Sequence, residues 1–180
     1  VTKATGTLTI GDDVELRLGN GDLWDSGSKT ATGTGADISS FTAVNLDNGT
    51  IRIQNPSATI QNLTVTANGG VIDANDLAND PERYKINLLG NTTLNGILTY
   101  KNEWNTCTEI ENLTGSGNLI IDGSIRSEQD NSTFSILNAT NYDGIVQMTN
   151  KANNMSLKVA QNLGLDVKVG TTSGEIDLTG

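Results

Sequence analysis

The chain has no histidine and a single cysteine in 180 residues. Without an imidazole, neither a Ser-His-Asp nor a Cys-His mechanism can be built from these residues. A lone thiol forms no internal disulfide and no cysteine metal cluster, and leaves the redox compartment open. Cys107, in the run "NTCTE", therefore reads as a small packing residue or an inert surface thiol. Positive charge is short as well, with 11 Lys+Arg against 21 Asp+Glu and a net charge of -10. Nucleic acid and anionic lipid surfaces both require a basic face, so neither is an expected partner. No apolar run reaches the length of a membrane-spanning helix, and no membrane insertion of this segment is expected.

Proline and aromatic residues are scarce too, with 2 Pro, 2 Trp, 3 Tyr and 2 Phe. What fills the chain instead is Thr, Asn, Ile, Val and 20 Gly. The β-branched residues favour strands, while Gly, Asn and Asp supply the corners between them. This is an all-β composition with many tight turns, rich enough in aliphatic residues to fold. The chain also opens and closes in strand-like sequence, as a piece of a longer secreted protein would.

Glycine followed by a short alternating strand recurs at Gly49, Gly70, Gly96, Gly117, Gly144, Gly164 and Gly174, in steps of 21, 26, 21, 27, 20 and 10 residues. Long and short steps alternate, so a pair of units is read as the stronger period. "NLDNGTIRI" from Asn45, "NTTLNGILTY" from Asn91 and "NATNYDGIVQM" from Asn138 form one series. "ATIQNLTVTANGGVIDA" and "TEIENLTGSGNLIID" form another, with Asn62 and Asn112 in register. Steps of this size match the coil of a parallel β-helix, whereas hairpins repeat on a shorter period. The expected fold is a parallel β-helix of about eight coils, a rod roughly 40 Å long at the spacing of stacked strands. A β-sandwich is the alternative, favoured by the short final step.

Residues 1–48 lack the repeat and are expected to form an N-terminal cap or irregular first coils. Residues 49–180 carry the coils, in one continuous domain with 1–48. Alternation places Ile51 and Ile53 inside around Arg52, and Leu165, Val167 and Val169 inside around Asp166 and Lys168. Ile110, Leu119, Ile121, Ile136, Ile145 and Leu157 are further core candidates.

Chemistry is thin. Asp73 and Asp122 lie at equivalent strand ends and could stack two coils apart, but they read as turn residues rather than a catalytic pair. Oxygen-bearing side chains at alternate positions suit a Ca²⁺ loop, and "DANDLAND" offers Asp73, Asn75, Asp76, Asn79 and Asp80. No EF-hand is completed, and no cofactor beyond such an ion is expected. Trp24, Tyr84, Tyr100, Trp104 and Tyr142 could stack on sugars if several line one groove. Thr-x-Thr pairs such as Thr7/Thr9 and Thr64/Thr66 are read as strand propensity, because they are not spaced on the coil period. Seven Asn-x-Ser/Thr sequons would matter only in a glycosylating host.

The stretches "NLTGSGNLIIDGS" from Asn112 and "FSILNATNYDGIVQM" from Phe134 resemble the autotransporter-associated β-strand repeat. Leu113, Gly115, Gly117 and Leu119 match its Leu-x-Gly-x-Gly-x-Leu head, and Tyr142, Gly144 and Ile145 its tail. The first 48 residues do not show the motif. The resemblance implies a right-handed parallel β-helix in the exported passenger or stalk of a bacterial surface protein, extracellular or at the cell surface. Such a segment is a non-catalytic adhesin or scaffold, and its partner would be a host or cell-surface glycan or protein. A carbohydrate-binding or polysaccharide-degrading β-helix module is the second expectation.

Overall fold

The computed structural model describes residues 5–19, 22–25, 30–34, 36–54, 57–74, 84–102, 106–123, 132–149, 156–159, 166–169 and 175–177; for residues 22–25, 30–34, 84, 102, 166–169 and 175–177 it describes the backbone only. Strands account for every regular element among them. In chain order these are β1 (Thr7–Ile10), β2 (Glu15–Leu18), β3 (Asp22–Asp25), β4 (Thr30–Thr34), β5 (Ala43–Leu46), β6 (Thr50–Ile53) and β7 (Ser57–Gln61). They continue with β8 (Leu63–Val65), β9 (Gly70–Asp73), β10 (Tyr84–Leu94), β11 (Leu98–Asn102), β12 (Thr106–Gly115) and β13 (Leu119–Gly123). The last are β14 (Thr133–Ile136), β15 (Asn141–Tyr142), β16 (Ile145–Met148), β17 (Ser156–Val159), β18 (Asp166–Val169) and β19 (Glu175–Asp177).

Two sheets hold all of these strands except β3 and β4. The first runs β1-β5-β8-β10-β12-β14-β17-β19, with β7 also on β10 and β15 also on β12; the second runs β18-β16-β13-β11-β9-β6-β2. Every pairing within the two sheets is parallel. Within these two sheets strands adjacent in sequence do not pair: most corners carry the chain to the opposite sheet, and from β7 to β8 and from β14 to β15 the chain runs on within the first. The hairpins of an antiparallel sandwich are thus absent from both sheets, and β3 with β4 forms the one antiparallel pair among the described residues. The two sheets already include residues 7–18, and Ala36 bridges Leu18 in parallel.

In the second sheet Leu16, Ile51, Ile72, Tyr100, Ile121, Met148 and Val169 stand in one register column. From Ile51 to Met148 their residue numbers differ by 21, 28, 21 and 27. The glycine-to-glycine steps from Gly49 to Gly144 therefore each correspond to one advance between paired strands of the second sheet. The longer circuits hold the longer connections, from β9 to β10 and from β13 to β14.

The core lies between the sheets. Ile51, Ile53, Ile110, Leu119, Ile121, Ile136 and Leu157 are all buried, as alternation requires. Ile145 departs from expectation. It is only half-buried, while Val146 and Met148 point inward, so the strand "IVQM" sits in the opposite phase. Two adjacent apolar residues leave that choice to the neighbouring rungs: Val146 is in register with Leu119 and Met148 with Ile121, both buried.

The corners hold small residues because one rung's backbone presses on the next. A Cβ on Gly117 would overlap the carbonyl oxygen of Gly96, and one on Gly144 would overlap that of Gly117. A second corner is held by asparagines. Asn62, at φ 47°, separates β7 from β8. Its Nδ2 donates to Thr42 O at 2.8 Å, and its Oδ1 accepts from the Asn91 N–H at 3.2 Å. On the following rungs Asn112 Nδ2 donates to Gly90 O at 3.3 Å and Asn138 Nδ2 to Asn112 Oδ1 at 2.9 Å. Asn62 and Asn112 thus occupy one corner two rungs apart, with Asn91 between them.

Candidate functional site

The outward face of the second sheet carries a charged column. Its members are Arg17, Arg52, Asp73, Lys101 and Asp122, one per rung. Arg52 is the centre of a small network. Its Nε lies 3.0 Å from Glu15 Oε2 and its Nη2 3.4 Å from Asp73 Oδ2, while Arg17 Nε lies 2.9 Å from Glu15 Oε1. Partial burial on its own would raise the Glu15 pKa, but the hydrogen bonds and charges of Arg17 and Arg52 outweigh it and hold the carboxyl below its ordinary value. At the far end Thr149 Oγ1 donates to Asp122 Oδ1 at 2.7 Å.

Asp73, a candidate cation ligand in the sequence, belongs to this network. Its side chain is nearly buried and turned to the Arg52 guanidinium, which supplies the opposite charge a cation would bring. Asn75, Asp76, Asn79 and Asp80 lie outside the described residues. Among the described residues no group of three His, Cys, Asp or Glu converges on one point. Asp73 and Asp122 do share a column two rungs apart, with Lys101 between them in register. That arrangement is a ladder of opposite charges, each carboxylate already engaged.

The aromatic reading also changes. Tyr100 is wholly buried, its ring meeting Phe134 edge-on with centroids 5.0 Å apart at 81°, and its hydroxyl bonds to Thr108 Oγ1 at 2.6 Å. Tyr142 is buried as well, with its hydroxyl 2.8 Å from Gly117 O and 3.1 Å from Ile145 O. Neither ring offers a face to a sugar. Tyr100 points inward in register with the buried Ile72 and Ile121 of the neighbouring rungs, and Tyr142 stands in register with Gly115. Trp24 lies on β3 opposite Ala31 of β4, and Tyr84 opens β10. Trp104 lies outside the described residues. The structure therefore gathers no aromatic groove from the described side chains.

A different feature escaped the sequence reading. Thr9, Asn45, Thr64, Thr93, Thr114 and Asn141 follow one another in register across the first sheet. All six face outward, half-buried or exposed. Asn62, Asn91, Asn112 and Asn138 run beside them at the corner. The threonines do fall on the rung period, although unequal circuits hide this in the numbering. Much of their hydrogen bonding is internal: Thr93 Oγ1 and Thr114 Oγ1 lie 2.9 Å apart, and in the next outward position Thr66 bonds to Asp47. The bonds from Thr66 and Asn68 hold the Asp47 carboxyl below its ordinary pKa.

Cys107 sits on the outward side of the first sheet, half-buried between Lys85 and Thr133 in register. Comparison with known proteins gives no match: no family model fits the chain, and no curated protein or solved structure is significantly similar to it.

Proposed function

We propose that this chain is a right-handed parallel β-helix of about eight coils, serving as a non-catalytic segment of a bacterial surface or secreted protein. Its work is that of an adhesin or a structural scaffold, outside the cell or at its surface, facing a host or cell-surface glycan or protein. The observation that carries this reading is the stacking of the two parallel sheets, rung on rung, with small or mutually paired polar side chains outside. A fold of this kind spends its sequence on a stiff repeating body. The resemblance of residues 112–148 to the autotransporter-associated repeat supports the extracellular assignment.

A second reading, a carbohydrate-binding module, is favoured by the outward Thr/Asn column, whose hydroxyl and amide groups match the hydrogen bonding of a neutral glycan. Small-angle scattering tests the architecture, since a compact globule excludes the rod. A glycan array run beside a polysaccharide-degradation assay tests the role. Turnover sinks the scaffold reading, saturable binding without turnover supports adhesion to glycan, and neither leaves a spacer or a protein-binding adhesin.

A further inference from the structure

Two hydroxyls inside the core, Thr92 Oγ1 and Thr106 Oγ1, are fully buried and have no hydrogen-bond partner among the described residues. Their surroundings differ. Thr92 faces inward in register with Leu113, and its other neighbouring rung supplies Leu63, so its hydroxyl meets aliphatic groups on both sides. Thr106 opens β12 beside Ser132, which is 1 % exposed and accepts the Thr106 N–H through its Oγ at 3.2 Å. Two residues on along the same inward face stands Thr108, bonded to the Tyr100 hydroxyl. Thr106 thus belongs to a short inward-facing group of hydroxyl residues, with Thr108 on its own strand and Ser132 beside it.

An orphaned buried hydroxyl is costly unless something answers it, and a water is retained where several polar atoms converge. We propose that the core holds one ordered water at Thr106 Oγ1, shared with the Ser132 hydroxyl, and that the Thr92 site is dry. The water takes the free donor or acceptor of Thr106 and ties the start of β12 to the rung of β14. Ser132 keeps its bond from the Thr106 N–H, which takes one of the two lone pairs of its hydroxyl oxygen.

The test is a high-resolution crystal structure of the unaltered chain, combined with thermal melts of Thr106→Val, Thr106→Ser and Thr92→Val. The expected result is a solvent peak within hydrogen-bond distance of Thr106 Oγ1 and none at Thr92. Thr106→Val should melt lower by roughly 2–4 °C, the shift that loss of one hydrogen bond produces in a chain of this size. Thr106→Ser should retain the peak, and Thr92→Val should melt at the same temperature or higher, because a methyl replaces an unanswered hydroxyl. An empty Thr106 site overturns the proposal even if Thr106→Val fails to fold, and so does a Thr106→Val melt at or above that of the parent.

Discussion

The hydroxyl of Tyr100, on β11 of the second sheet, lies 2.6 Å from Thr108 Oγ1, on β12 of the first. The bond crosses the space between the sheets at a point where both residues are fully buried. It is a polar tie inside a core filled mostly by Ile, Leu and Val. Tyr100→Phe should cost about 1–3 kcal/mol, since the Thr108 hydroxyl is then left buried without a partner. Phe134→Ala, which removes the ring stacked edge-on against Tyr100, should cost about 3–5 kcal/mol. Denaturant unfolding of the two variants measures both, and a neutral Tyr100→Phe would show that the tie contributes nothing.

Burial pushes the Tyr100 hydroxyl above its ordinary pKa of 10.0, the bond to Thr108 offsetting only part of the effect. Burial likewise raises Tyr142, to about 12. Both phenols stay protonated in the fold at a pH where the unfolded chain has already lost those protons. Their contribution is complete below the unfolded value of 10.0 and declines as the pH climbs towards the folded values. Unfolding free energy followed by circular dichroism should therefore drop above about pH 10, and Tyr142→Phe should flatten that decline. An unchanged slope in the variant would remove Tyr142 from the account.

Gly117 is required by the Gly96 carbonyl pressed against it, whereas nothing lies within 4 Å of a Cβ placed on Gly11. Gly117→Ala should destabilise by about 1–3 kcal/mol or more, as overpacking does. Gly11→Ala should be near neutral. Melting temperatures of the pair give the contrast.

Arg52 and Arg17 both touch Glu15, yet their side chains are 28% and 54% exposed. Arg52→Met also strips Asp73 of a partner beside a nearly buried carboxylate, and should cost about 1–2 kcal/mol, between the values for exposed and buried pairs. Arg17→Met should cost less than about 0.5 kcal/mol. Equal effects in denaturant unfolding would place the weight of the network on Glu15 rather than on the Arg52–Asp73 contact.

Asn112 donates to Gly90 O and accepts from Asn138, so Asn112→Ala breaks the corner ladder at two points. The expected cost is about 1–2 kcal/mol. Hydrogen exchange should show faster opening of β8, β10, β12 and β15 than of the second sheet. Uniform acceleration of both sheets would mean that the ladder has no local role.

Much of the core was legible in the sequence. The phase of "TIRI" is unambiguous because Thr50 and Arg52 are polar, and Ile51 and Ile53 are indeed buried. "GILTY" and "GIVQM" are ambiguous, since each begins with two apolar residues. In both the second one is inward: Leu98 is fully buried while Ile97 is 49% exposed, and Val146 is buried while Ile145 is not. Tyr100 shares the inward phase of Leu98, which is why its ring was lost to any surface role.

The sequence by itself determined a β protein with Gly and Asn corners, coil-sized units, and no histidine with which to build an imidazole-dependent site. Local propensity and alternation act over a few residues, and a single chain displays them openly. Only the tertiary structure decided which residues meet. Arg52 finds Asp73 and Thr93 finds Thr114 because the connections bring neighbouring rungs into register, and Tyr100 finds Thr108 because the next strand of the chain lies across the core. A period of two says that alternate residues share a face; contact with the next rung decides which face is buried.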